Sequence, residues 1–208
     1  MSARGRRVRA YVGLGSNVGA PADTLAAAVR VLGRLPGARL RGVSRLYATA
    51  PVGMIDQPEF RNAAVALDVP AGPGPVTGAI GLLVALKRIE RAFGRQDRER
   101  WGPRELDLDL LVFGRHVIEV DRPPAGRSRD AAKADLPLIV PHPEARHRLF
   151  VLAPLADLAA GLVPPGWGES TETARRRREV LEGSDSVRPV ARWDEAAGGW
   201  SPIPPEPS

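Results

Sequence analysis

Two carboxylates set two positions apart carry the clearest chemistry in this chain. In Leu106-Asp107-Leu108-Asp109-Leu110 apolar and acidic side chains alternate, the period of an extended strand. On a strand the leucines turn to the core, and Asp107 and Asp109 share the opposite face, roughly 7 Å apart. Hard oxygen donors at that spacing suit Mg²⁺, which keeps several waters and takes one or two protein carboxylates together with substrate phosphates. The same spacing also fits a half-exposed strand whose outer face happens to be acidic. The approach to the strand adds a second ingredient, because Arg88, Arg91, Arg95, Arg98, Arg100 and Arg104 occupy a helix end and the loop that follows it. A nucleoside triphosphate with its metal needs both kinds of partner, carboxylates for the ion and guanidinium groups for the free phosphate oxygens. A solvated charged loop would have the same composition.

The elements that must hold these groups follow from periodicity. The spacing predicts strands over Val8–Leu14, Leu40–Tyr47, Phe60–Val69 and Leu106–Phe113. It predicts a helix over 22–35 with Leu25, Val29 and Leu32 inward, and another over Thr77–Phe93 with Ile80, Val84 and Ile89 inward, stopped by Gly94. That order, β-α-β-β-α-β, is the split βαβ arrangement of an α+β, ferredoxin-like fold, an antiparallel sheet with helices packed on it. A short strand over His116–Val120 and extra C-terminal helices within Pro143–Ala160 and Thr171–Leu181 come after it. We expect one domain over residues 1–183, with a surface insertion at 121–134, and a flexible tail over 184–208, where no periodicity is evident.

Composition narrows the chemistry. The 208 residues, 43% hydrophobic and 26% charged, suffice for one core and at most two small domains. The chain has no cysteine, which excludes a disulfide scaffold, a zinc ribbon, an iron–sulfur cluster and a thiol nucleophile. His116, His142 and His147 form no H-E-x-x-H pair, and no G-x-x-x-x-G-K-[ST] loop occurs. Gly13-Leu14-Gly15-Ser16-Asn17-Val18-Gly19 misses the dinucleotide-binding spacing by one residue. The net charge of +6 comes almost entirely from arginine, with only Lys87 and Lys133 as lysines; this reads as a compositional preference and by itself does not point to a polynucleotide. Arg175 to Arg178, flanked by Glu172 and Glu179, read as a solvated helix face with acid–base pairs at helical spacing. There is no secretory signal and no run of about 18 apolar residues, so a cytoplasmic location is expected. A ferredoxin-like RNA-binding module is the alternative. Such modules stack bases on aromatics of the central strands, where this chain has Asp107 and Asp109 and an aromatic content of 5%.

Arg100-Trp101-Gly102-Pro103-Arg104-Glu105-Leu106-Asp107-Leu108-Asp109-Leu110-Leu111 closely resembles the signature of the 6-hydroxymethyl-7,8-dihydropterin pyrophosphokinase family of folate biosynthesis. Three further segments resemble the family's other motifs, in order: Gly13-Leu14-Gly15-Ser16-Asn17, Asp56-Gln57-Pro58-Glu59-Phe60-Arg61-Asn62-Ala63, and Val140-Pro141-His142-Pro143 with Arg148-Leu149-Phe150. The resemblance covers about residues 8 to 182. It implies transfer of the β,γ-pyrophosphoryl group of ATP to the pterin hydroxymethyl, releasing AMP, with two Mg²⁺ ions held by Asp107 and Asp109. It implies phosphate contacts from Arg95, Arg104, His142 and Arg148, the first two serving catalysis with the aspartates. On the pterin side it implies Gly15, Thr49, Pro51, Val52 and Asn62, ring stacking by Phe60 and Phe150, and Trp101 closing the site; Lys87, Glu90 and Leu110 would line the adenosine. Phe60 stands where the family often has tyrosine, Ala50 replaces a proline, and Asp97 and Glu99 dilute a loop that is commonly more basic. The expected partners are ATP and the pterin, with no nucleic acid and no membrane, and the expected form is a monomer.

Overall fold

The first strand in sequence lies inside the sheet. β1 (Arg7–Ser16) runs between β4 (Phe60–Pro70) and β5 (Asp107–Phe113) and is antiparallel to both. The computed structural model describes residues 6–50, 58–94, 105–128 and 135–203. β2 (Arg39–Val43) and β3 (Leu46–Thr49) both pair with β4, and β8 (Val187–Asp194) and β9 (Gly199–Pro202) extend the sheet beyond β3. The strand order is therefore β5-β1-β4-β3-β8-β9, with β2 also on β4. With α1 (Pro21–Gly33) after β1 and α2 (Pro75–Ala92) after β4, the chain through Phe113 has the α+β, ferredoxin-like order expected from sequence. β6 (Ile118–Val120) and β7 (Leu138–Val140) form a separate ladder, followed by α3 (Leu149–Ala159) and α4 (Thr171–Glu182). No helix among the described residues is long and apolar enough to cross a membrane.

Alternation along the strands gives the sheet two different faces. One carries Val8, Ala10, Val12 and Leu14 of β1, Val65 and Leu67 of β4, and Leu108 and Leu110 of β5, all in the main core. Helix α1 closes part of it with Leu25, Val29 and Leu32, each fully buried as expected. Helix α2 turns inward through Ala79, Leu82, Leu83, Leu86 and Ile89; Ile80 and Val84, expected inward, are half-buried. The rotation follows from Gly78, where a Cβ would run into the Ala71 carbonyl and meet Phe113 at 3.1 Å. Close approach there sets which side of α2 faces the sheet, and that side includes Lys87 and Glu90, which an apolar period does not count.

Three expectations need correction. The single strand over Leu40–Tyr47 is two strands, interrupted at Ser44, whose Oγ accepts from the Ala64 N–H at 2.8 Å and so takes over a ladder bond. The tail is not loose over 187–202. Val187 and Ala191 are buried, Trp193 meets Trp200 edge-to-face at 4.8 Å, and Trp200 Nε1 donates to the Ser44 carbonyl at 2.9 Å. The turn between the two strands is fixed by Asp194, whose carboxylate accepts from the amides of Ala196 and Ala197. The insertion, expected as a surface excursion, packs on α2 over its described part. Gly126 and Ser128 are buried, and Arg91 of α2 donates to the Ala125 carbonyl at 2.8 Å; residues 129–134 lie outside the described residues.

Candidate active site

The second face of the sheet is divided along its length. At one end Tyr11, Ala66 and Leu111 are buried with Leu155 of α3. Toward the other end the paired rows run Asp109–Gly13–Ala64 and Asp107–Gly15–Asn62, so two strand glycines lie between the carboxylates of β5 and the amide of β4. Opposite residues of an antiparallel pair project on the same side, so the glycines leave a trough with no side chain, walled by acids on one flank and Asn62 on the other. The leucines on either side of the aspartates are buried and Asp107 and Asp109 are half-buried, as the alternation requires.

Gly13-Leu14-Gly15-Ser16-Asn17 acts here through its polar end. Ser16 is fully buried, and its Oγ donates to the Glu105 carbonyl at 2.7 Å, fixing the chain two residues before Asp107. Asn17 Nδ2 donates to the Pro58 carbonyl, fixing the chain that enters β4. On the far flank, buried Asn62 donates through Nδ2 to Thr49 Oγ1 at 2.8 Å. That bond turns Asn62 Oδ1 toward Gly15, where a Cβ would stand 3.2 Å away. Asn62 thereby presents an acceptor over bare backbone, suited to the N–H edge of a flat heterocycle. Thr49 pairs with Phe60 across β3–β4 and with Val187 across β3–β8, and Phe150 packs on the cluster containing Val187 and Tyr47. The two phenylalanines expected to stack a ring thus belong to the same corner.

The loops after β6 and β7 reach the β5 side, whereas Arg148 lies beside Phe150. The His142 amide donates to the Leu111 carbonyl at 2.8 Å, which ties the loop after β7 to the strand carrying the aspartates. Arg148 Nη2 pairs with Glu144 at 3.3 Å, and its guanidinium lies 5.9 Å from the Phe150 ring centroid. Arg122, which sequence reasoning missed, is half-buried, and burial lowers its pKa while the nearby carboxylates of Asp109 and Glu90 raise it. Only the path of the chain from β6 brings this residue to β5; no local signal distinguishes it from other loop arginines. Arg95, Trp101, Arg104, Pro51 and Val52 lie outside the described residues.

The three residues expected to line the adenosine are all buried. The Leu110 side chain is 3% exposed and belongs to the core. Lys87 and Glu90 are 4% and 2% exposed, and Lys87 Nζ donates to Glu90 Oε1 at 2.7 Å and to the Leu108 carbonyl at 3.0 Å. Their charged ends are turned to the backbone of β5.

The donor set fits Mg²⁺. Two hard carboxylates share one half-buried ledge, and among the described residues no group of three or more His, Cys, Asp or Glu side chains forms a protein cage. Asp107 and Asp109 would hold such an ion, which would take its remaining ligands from phosphate and water.

Known proteins resemble this chain in both sequence and fold. The family model described as 7,8-dihydro-6-hydroxymethylpterin-pyrophosphokinase matches residues 11–160. A 2-amino-4-hydroxy-6-hydroxymethyldihydropteridine pyrophosphokinase of Pseudomonas aeruginosa is 43% identical over 157 residues, covering 76% of this chain and 84% of the relative. One from Methylorubrum extorquens is 40% identical over 180 residues, covering 86% and 98%. Among solved structures, a Plasmodium falciparum HPPK-DHPS triple mutant with STZ-DHP superposes with a TM-score of 0.69 at 13% identity, over 95% of this chain and 49% of that longer one.

Proposed function

This chain belongs to the 7,8-dihydro-6-hydroxymethylpterin-pyrophosphokinase family, and on that premise we propose how its own residues serve ATP-dependent transfer of pyrophosphate to 6-hydroxymethyl-7,8-dihydropterin in folate biosynthesis. In the reaction the substrate hydroxyl oxygen bonds to the β-phosphorus and gives up its proton to water, the bond from that phosphorus to the α,β-bridging oxygen breaks, and AMP leaves with that oxygen. Positioning and charge stabilisation therefore do most of the work.

The glycine trough takes the flat pterin. Asn62 Oδ1, oriented by Thr49, accepts from its N–H edge, and Phe60 and Phe150 stack its two faces; the resemblance assigns Pro51, Val52 and Trp101 to the same substrate. Asp107 and Asp109 hold Mg²⁺, two ions on the resemblance. When bound, the metal neutralises triphosphate oxygens and makes the β-phosphorus more electrophilic. Arg148, His142, Arg95, Arg104 and Arg122 bind and orient the phosphates, the arginines as forked donors. The reading places a monomer in the cytoplasm, working on two small molecules.

The observation that carries it is the row Asp107–Gly15–Asn62, which sets a carboxylate and a side-chain amide on opposite sides of one bare strand. Purified protein given ATP, Mg²⁺ and the hydroxymethyl-dihydropterin is expected to yield AMP and the pyrophosphorylated pterin. Formation of ADP, or no turnover, overturns the reading.

A further inference from the structure

β5 is an edge strand, paired with β1 on one side only. The N–H and C=O of a residue turned outward from such an edge have no ladder partner. At Leu108 both groups are nevertheless bonded, to one side-chain pair of α2. The Leu108 N–H donates to Glu90 Oε1 at 2.8 Å, and the Leu108 carbonyl accepts from Lys87 Nζ at 3.0 Å. Lys87 and Glu90 are joined at 2.7 Å with side chains 5% and 2% exposed. A lysine and a glutamate are rarely buried to this degree, and an apolar pair of similar size would fill the space at less desolvation cost. What an apolar pair could not do is grip both polar groups of a single peptide segment. That segment lies between Asp107 and Asp109.

We propose that Lys87 and Glu90 are a positioning pair, clamping the backbone at Leu108 so that the two flanking carboxylates stand at the spacing and tilt their metal requires. The proposal rests on the metal-binding role given above to Asp107 and Asp109. The clamp acts through the strand. Holding Leu108 by both its N–H and its C=O limits rotation of the peptides on either side, and these peptides set where each Asp Cβ points. Supporting groups of this kind around a metal site are commonly worth 10- to 100-fold in affinity.

The test uses the full chain with a non-hydrolysable ATP analogue, titrated with Mn²⁺ and read by electron paramagnetic resonance. The double variant Lys87→Met/Glu90→Gln removes both charges together, so neither is left buried alone. Its new amide oxygen still accepts from the Leu108 N–H, while the carbonyl loses its donor. We expect Mn²⁺ affinity to fall tenfold or more, with the melting temperature within about 4 °C of wild type and the affinity for 6-hydroxymethylpterin, measured without metal, within twofold. Unchanged Mn²⁺ affinity overturns the proposal, as does an equal loss of pterin affinity, which would mark the pair as general scaffolding. Should the double variant not fold, Lys87→Met alone, which removes the same donor from the Leu108 carbonyl, is read in the same way, and failure of both to fold assigns the pair to stability and ends the positioning claim. Wild type and Asp109→Ala are titrated alongside. If Asp109→Ala binds Mn²⁺ as tightly as wild type, the metal assignment itself has failed; if it does not and the double variant does, only the clamp is wrong.

Discussion

One face of the sheet, followed along β1 and β5, changes character within two residues. At Tyr11 and Leu111 it is buried beneath α3; at Gly13, Gly15, Asp107 and Asp109 it is half-buried and lined by glycine and carboxylate. The same two strands run through both ends, but their register shifts between Tyr11 and Val12, where Leu111 falls outside the pairing, and β5 is buried continuously from Leu110 to Phe113. What also differs is whether a helix covers the face, and the side chains follow: large and apolar under the helix, absent or acidic beyond it. The break is sharpest on β5, where Leu111 and Asp109 are neighbours on the same face.

The largest expected effect separates those two neighbours. Asp107→Ala or Asp109→Ala should lower kcat by at least about a hundredfold, while the melting temperature stays within a few degrees because neither carboxylate supports the core. Leu111→Ala should do the reverse. Deleting a buried leucine costs about 2–5 kcal/mol, visible in urea unfolding, while kcat per folded molecule stays within about threefold. Near-normal turnover in either aspartate variant at saturating Mg²⁺ would erase the functional half of the contrast.

A second comparison lies between the two trough glycines. A Cβ on Gly15 would stand 3.2 Å from Asn62 Oδ1, whereas one on Gly13 would meet only Leu111, at an ordinary 3.4 Å. Gly15→Ala therefore displaces the acceptor, and KM for the pterin should rise about five- to tenfold, the worth of one misplaced hydrogen bond. Gly13→Ala should leave KM within about twofold. Equal effects in steady-state kinetics would show that the trough is read by width rather than through Asn62.

Legibility in the sequence followed how local the cause was. The alternation through Leu106–Leu110 was sufficient to predict the placement of every side chain in that run, because one strand's pleat decides it. The β-α-β-β-α-β order was equally plain, since each element carries its own period. That Lys87 and Glu90 turn to the backbone of β5 was not legible, because an apolar period does not count charged residues on the buried side of a helix. Arg122 was invisible because only the path of the chain after β6 brings it to Asp109 and Glu90. The 187–202 hairpin was missed although Trp193 and Trp200 flank an Asp-Glu-Ala-Ala-Gly-Gly turn; Pro189 and the short alternation masked a strand whose partner, β3, is about 140 residues away.

The smallest expected effect lies away from this face, on α4, where charge was read as self-paired. Arg175 binds Glu172 at 2.9 Å and Glu179 at 2.9 Å, and Arg176 adds a second bond to Glu172. Hydrogen bonding from Arg175 first, then from Arg176, outweighs the opposing effect of burial and holds the Glu172 carboxyl down to about 2. An unfolded glutamate titrates near about 4.3, so the folded pKa is depressed and the stabilisation is fully present above that value, disappearing as pH falls toward 2. The pair is partly solvated, and screening leaves it below about 1 kcal/mol. Glu172→Gln should therefore lower the melting temperature by about 1–3 °C at pH 7, with the gap narrowing between pH 4 and pH 2 and kcat unchanged. Calorimetry across that range checks it. A gap that persists undiminished at pH 2 would mean that Glu172 supports α4 by packing rather than by charge, and the helix would then resemble the buried end of the sheet more than a solvated surface.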